Sequence, residues 1–407
     1  MKKWQRKALF LTFLILFVIL GPILVLYSLG YRFDFQKKKL TKTGGIFVKA
    51  FPKEVEIFID GKMKKKTDVF FGSALIENLL PKKYRIKISK NGYFSWEKEL
   101  EIEERRVTEI KGVILFPQNL KFYPILDNVE NFWVLPNQKE LILKENEENK
   151  WSLKLYSLDK KLKSHLISQD NFGKDTEFLN LDFELSADQI EIKVKMKEKE
   201  KSYILDIRKS PPLLKEKEEE ISPNAVCFKK TKEGFYLFGK DGYLYKEDRK
   251  LTSEPLLGIE SCQLKIFDNL IFLEFNGNLY FLKEEALKKI FENLKGIEIS
   301  SDLKKLALFS NYEIWIFPIY NMGPYEKEKL EFLTRFSEKI ESLKWIHENY
   351  LIIAAEGGIK ISEIDKRDKL NVWNVAGISG KKLFFNYYNK KIYIQKENTI
   401  FESDPLW

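Results

Sequence analysis

Two histidines, two cysteines and one serine set between glycines are the residues of this 407-residue chain whose types invite a chemical reading. His165 stands in an alternating run and His347 in an expected turn, and neither has a second imidazole or a thiol close by in sequence. A zinc centre takes about four nitrogen, sulfur or oxygen ligands, so no metal site is expected. Ser379, in Gly377-Ile378-Ser379-Gly380, lacks the spacing of a nucleophile elbow and reads as a turn. The acidic runs at 145–148 and 216–220 read as solvated charge rather than as an acid and base poised across a cleft. The charged turn Asp365-Lys366-Arg367-Asp368 reads as an exposed loop between strands. No phosphate loop, dinucleotide fingerprint or calcium loop is present. The sequence thus nominates no catalytic, cofactor-binding or metal residue, leaves the ligand-binding residues unassigned, and points away from an enzyme. Cys227 and Cys262 each lie in an apolar run and are read as buried thiols, with a bridge as the alternative.

The elements that must carry any function are strands. Thirty-two Phe and eighteen Tyr against thirteen Pro favour a pleated, half-buried backbone, and the length calls for two or three domains. The formal charge of +10 resembles a nucleic-acid signal, but Lys2, Lys3, Arg6 and Lys7 supply four of those charges in front of an apolar stretch, and +10 less 4 leaves +6. Elsewhere Lys alternates with Glu, as at 195–201 and 215–220, which describes solvated strand faces; no nucleic-acid partner is expected.

Residues 8–31 contain no charge and would span about 36 Å as a helix, against a hydrocarbon core of about 30 Å. The expected element is a transmembrane helix in contact with the lipid bilayer, kinked at Pro22, with Trp4, Tyr27 and Tyr31 near its ends. A cleavable signal peptide is the competing reading; its apolar region would be shorter and small residues would mark the cut. Residues 1–7 are expected in the cytoplasm and the bulk outside it, because the whole body would follow the span as a translocated domain, although basic residues flank both ends about equally. Residues 32–43 form a basic stem.

From Gly44 the sequence alternates with period two through Ile46-Phe47-Val48-Lys49, Val55-Glu56-Ile57-Phe58-Ile59, Tyr84-Arg85-Ile86-Lys87-Ile88 and Trp96-Glu97-Lys98-Glu99-Leu100, with Asp60-Gly61 as a hairpin turn. Pro52, the strand ending in Asp60-Gly61-Lys62, the turn Leu80-Pro81-Lys82-Lys83-Tyr84 and the pair Gly92-Tyr93 resemble a PEGA domain over residues 44–117. Thr67-Asp68 replaces the family's Thr-Pro, and Lys83 replaces its turn glycine. The resemblance implies a small β-sandwich of surface proteins and no chemistry.

Between residue 120 and the end, only residues 284–294 have a helical period. The rest divides into seven segments of about 40 residues, whose first strands fall at Asn131-Phe132-Trp133-Val134, Asn180-Leu181-Asp182-Phe183, Ala225-Val226-Cys227-Phe228, Glu260-Ser261-Cys262-Gln263, Gly296-Ile297-Glu298-Ile299, Ser342-Leu343-Lys344-Trp345 and Gly380-Lys381-Lys382-Leu383. Turns such as Ser300-Ser301-Asp302-Leu303-Lys304, each followed by a strand and then an aromatic strand, resemble WD40-like or TolB-like β-propeller blades, without the turn glycine and without a recurring Trp-Asp. Short strands so spaced bury their faces when four-stranded blades pack radially. The expected fold is all-β after one N-terminal helix: a PEGA-like sandwich at 44–117, then a propeller at 120–407 of about seven blades, six or eight being open. A pair of larger sandwiches is the alternative.

The leading functional expectation is a single-pass, plasma-membrane-anchored binding scaffold of the cell envelope, acting on an envelope protein or wall polymer through propeller loops, without a cofactor. An extracytoplasmic propeller hydrolase or lyase, and a sensor subunit of an envelope complex, are the other two.

Overall fold

A computed structural model describes residues 3–407 except 36, 148, 174, 184–187, 198, 218–223, 268 and 324. Met1 and Lys2 of the expected cytoplasmic segment, and parts of both acidic runs, lie outside the described residues. The chain forms two compact units, one of residues 1–119, 362–375 and 407, the other of 120–361 and 376–406.

In the first unit, helix α1 (Lys3–Ser28) continues through Pro22. Its apolar window has a mean hydropathy of 3.0 and none of it is buried, so it is long and apolar enough to cross a membrane and is not a core helix. It stops at Ser28 rather than at residue 31; Tyr31 opens a strand, and the basic stem is a hairpin of Tyr31–Asp34 with Lys39–Lys42. Gly30, at a φ of +81°, makes the break that glycine tolerates.

Residues 44–114 form two sheets. Gly44–Phe51 is central in one, antiparallel to Ser73–Leu79 and parallel to Val107–Ile114. The other runs in the order Lys62–Lys66, Glu56–Ile59, Lys83–Ser89, Trp96–Glu101. Alternation places Ile46, Val48, Ile57, Ile59, Ile86 and Ile88 in the core. Asp60 and Gly61 both have positive φ, 49° and 76°, as a two-residue hairpin turn of the expected type requires. Asp68, where the sequence departs from Thr-Pro, organises the turn before Ser73: its carboxylate accepts the amides of Phe70 (2.9 Å), Phe71 (2.6 Å) and Ser73 (2.9 Å). These bonds hold its pKa down at about 2.

Residues 122–403 form a β-propeller of seven four-stranded sheets in chain order; of the sixth sheet, the end of Gly358–Glu363 and nearly all of Val372–Ala376 are counted with the first unit. The first strands of blades 1 to 6 are Val129–Val134, Thr176–Phe183, Ala225–Thr231, Gln263–Phe267, Gly296–Ile299 and Ile340–His347. Blade 7 begins with Lys382–Phe385, continues through Ile392–Lys396 and Thr399–Ser403, and takes its fourth strand, Phe122–Leu126, from the start of the unit. That closing strand pairs antiparallel with Thr399–Ser403, so the ring closes on its own hydrogen bonds.

Successive blades share apolar clusters, which is why one blade is not a stable unit alone. Ile142 and Leu153 of blade 1 pack with Ile190, Ile192 and Val194 of blade 2. Phe272 and Phe281 of blade 4 meet Leu306, Leu308 and Phe317 of blade 5. Phe384 and Tyr393 of blade 7 join Leu141, Leu143 and Tyr156 of blade 1.

Two expectations are corrected. The helical period at 284–294 gives a strand, Ala286–Phe291, the outer strand of blade 4. Glu284 and Glu285 both take positive φ, 51° and 61°, and turn the chain back onto Asn278–Lys283; ladder hydrogen bonds to that strand override the weak period. Cys227 and Cys262 are not separate thiols but a disulfide, with Cα atoms 5.6 Å apart. Cys227 is in the first strand of blade 3 and Cys262 immediately precedes that of blade 4, so the blade repeat juxtaposes residues 35 apart in sequence.

Candidate site in the propeller channel

The inner strands of a propeller surround its axis, and charged residues on them are the ones to account for. Those of blades 1, 5, 6 and 7 enclose a cavity of about 480 Å³. Glu298 comes from the first strand of blade 5, Ser342, Lys344 and Trp345 from that of blade 6, and Lys382 from that of blade 7, with Phe132 and Trp133 on the blade 1 side. Ser342 and Lys344, two apart on one strand, share its channel face.

Two lysines occupy different electrostatic settings. Lys344 is ion-paired with Glu298. Burial pushes the Glu298 carboxyl up, and Lys344 opposes that shift. Lys382 has neutral partners. Its ammonium donates to Asn131 Oδ1 at 2.9 Å and to the Phe132 carbonyl, and it lies 5.0 Å and 4.8 Å from the ring centroids of Phe132 and Trp133. Burial, reinforced by the charge of Lys344, brings the pKa of Lys382 down to about 8.

A hydrogen-bond frame fixes the wall around these charges. Trp345 Nε1 donates to the Glu298 carbonyl at 3.0 Å, and the Tyr387 hydroxyl donates to the Trp345 carbonyl at 2.7 Å. Burial, with the Glu298 charge, pushes the Tyr387 phenol up to about 12. Gln138 accepts the Tyr387 amide at 3.2 Å and, through its own carbonyl, the Asn386 side-chain amide at 2.8 Å. The result is an aromatic-walled concavity with one paired and one desolvated ammonium.

The residues first weighed for chemistry lie elsewhere. His165 is exposed on the outer strand of blade 1. His347 ends the first strand of blade 6 instead of lying within the turn; it accepts the Asn349 amide at 3.3 Å, and burial lowers its pKa. Among the described residues, no hydrogen bond joins either imidazole to Ser379, and no group of three or more His, Cys, Asp or Glu could hold a metal ion. Of the run at 145–148, the described residues 145–147 end the second strand of blade 1, and Glu145 there is buried and ion-paired with Lys154 at 2.7 Å and with Lys163. The Asp365–Asp368 turn is engaged rather than free. Lys98 donates to the Asp365 carbonyl at 2.7 Å, and Asp368 accepts the Glu99 amide at 2.8 Å, all within the first unit.

Sequence reasoning passed over Lys382, Lys344 and Glu298, although all three lie in segments it had marked as first strands of blades. The available signal was a charge inside a strand that the repeat assigns to the channel.

The fold defines the class: a β-propeller protein with an N-terminal apolar helix and a small β-unit. No protein-family model and no curated protein matches the sequence. In structure the chain is similar to a chain in the crystal structure of a mitotic checkpoint complex, at 9% identity and a TM-score of 0.46, over 70% of this chain and 94% of that one. It is likewise similar to YCF48 from Cyanidioschyzon merolae, at 9% identity and a TM-score of 0.45, over 70% of this chain and 98% of that one.

Proposed function

We propose that this chain is a membrane-anchored, extracytoplasmic binding scaffold of the cell envelope. In this reading the apolar part of the helix, residues 8–28, sits in the lipid bilayer, the PEGA-like unit at 44–117 acts as a spacer, and the propeller binds an envelope protein or wall polymer without catalysing a reaction. The observation that carries the placement is the Cys227–Cys262 disulfide, since such bonds persist outside the reducing cytoplasm. The unburied apolar helix supports anchoring. The closed ring supports binding, because rigid propellers present loops and a channel mouth as recognition surfaces.

Protease treatment of spheroplasts expressing the full chain with a C-terminal tag tests the placement. Loss of the tag is expected. A tag protected until the membrane is lysed would make the body cytoplasmic and overturn the reading.

A further inference from the structure

Lys382 sets a problem that the fold alone does not solve. A half-buried ammonium costs desolvation energy, and the usual remedy is a carboxylate. Here its nearby charge is another cation, Lys344, and its direct partners are the Asn131 amide oxygen, the Phe132 carbonyl and two ring faces. Glu298, which could have neutralised it, is engaged by Lys344 instead. The charge also lines a cavity of about 480 Å³, within the range of small-ligand sites. A desolvated charge beside a cavity is the pattern of a binding site rather than of a structural ion pair.

We propose that this channel cavity binds a carboxylate carried on an aromatic or other apolar body, with Lys382 as the charge partner and Phe132, Trp133, Trp345 and Tyr387 as the walls. Among the described residues the lining contains no arginine, and none of them offers the bidentate fork that favours phosphate groups. One uncompensated ammonium matches a single negative charge. Glu298 disfavours a second anionic group at the cavity edge. The aromatic walls suit a flat apolar body next to the acid.

This inference rests on the reading of the propeller as a binding module and not on the side of the membrane it occupies. The full chain in detergent micelles is titrated calorimetrically with N-acetyl-phenylalanine, with its amide, and with a pentapeptide of four glycines ending in phenylalanine with a free carboxylate. The acid is expected to bind saturably below about 10 mM, and the amide roughly tenfold or more weakly, since a charge-assisted bond is lost. Lys382→Gln is expected to cost the acid a similar factor while melting as a cooperative fold. Affinity is expected to fall as the pH rises through about 8, where Lys382 loses its proton.

Peptide binding at least as tight as that of the free acid assigns the site to a chain terminus; exclusion of the peptide assigns it to a small acid. Equal binding of acid and amide, no saturable binding of either acid or peptide, or undiminished binding by K382Q would overturn the proposal. Acid binding combined with a protected tag would sink the extracytoplasmic placement and leave the site standing; an exposed tag without acid binding would do the reverse.

Discussion

Lys98 and Glu363 form a buried ion pair at 2.8 Å, with side-chain exposures of 0% and 2%, inside the first unit. The pair is fully bonded. Glu363 also accepts Trp96 Nε1 at 2.8 Å and both the backbone and side-chain amides of Asn371 at 2.8 Å, and Lys98 donates to the carbonyls of Asp365 and Lys369. Burial raises the pKa of Glu363, and Lys98 is the main influence holding it down.

Removing one partner strands the other. Lys98→Met is expected to destabilise the protein by about 3–5 kcal/mol, measured by denaturant unfolding. The double variant K98M/E363Q should recover part of this, because no buried charge is left unpaired and the glutamine oxygen still accepts both Asn371 amides, although its NH2 then replaces the oxygen that accepted Trp96 Nε1. The sign of the pH dependence follows from the raised pKa of Glu363. In K98M that rise is larger, so the variant's deficit should be small below the carboxyl's ordinary value of 4.5 and widen as the pH rises through its folded value. A deficit independent of pH would contradict this account.

The disulfide closes a loop of 35 residues between blades 3 and 4. Replacing both cysteines by serine is expected to cost about 3–4 kcal/mol by loop-closure entropy. Reductant should lower the melting temperature of the parent chain and leave the double variant unchanged. Equal response of the two proteins would mean that the thiols are not paired.

Leu303 occupies the turn position where blade sequences of this kind carry glycine, and it takes a φ of +57° while its side chain is 58% exposed. A left-handed backbone costs a non-glycine residue about 1–2 kcal/mol, and an added glycine returns less than that through the unfolded chain. Leu303→Gly should therefore stabilise the propeller by about 0.5–1 kcal/mol, read as a higher denaturant midpoint with an unchanged slope. A lower midpoint would refute the strain.

Asp68 gives an acid-range prediction. Its folded pKa of about 2 lies below its ordinary 3.8. The stabilisation it provides is present above pH 3.8 and is lost as the pH falls towards 2. Asp68→Ala should thus speed amide exchange at Phe70, Phe71 and Ser73 near neutral pH, and the difference from the parent should vanish in strong acid.

The blade repeat was legible because each first strand carries a short apolar signature with turn residues before it; all seven segments, from Asn131-Phe132 to Lys382-Leu383, contain or adjoin an inner strand. The closing strand Phe122–Leu126 was not legible, because its partner Thr399–Ser403 lies at the far end of the sequence and no local pattern encodes that pairing. Residues 286–291 misled for a related reason: two glutamates in left-handed conformations form the turn, where Asn or Gly would have announced a hairpin. The channel charges were visible as letters only. Lys382 becomes distinctive when Glu298 proves to be held by Lys344, which depends on the spacing of three blades.

The most direct test of the central claim is labelling of an exposed blade position from outside. Lys160, on an exposed turn of blade 1, is replaced by cysteine in the otherwise native chain, and spheroplasts are treated with a membrane-impermeant maleimide before and after lysis. Full labelling of K160C before lysis is expected, and none of the parent, whose two cysteines are bridged. Labelling of K160C only after lysis would place the propeller in the cytoplasm and contradict the claim.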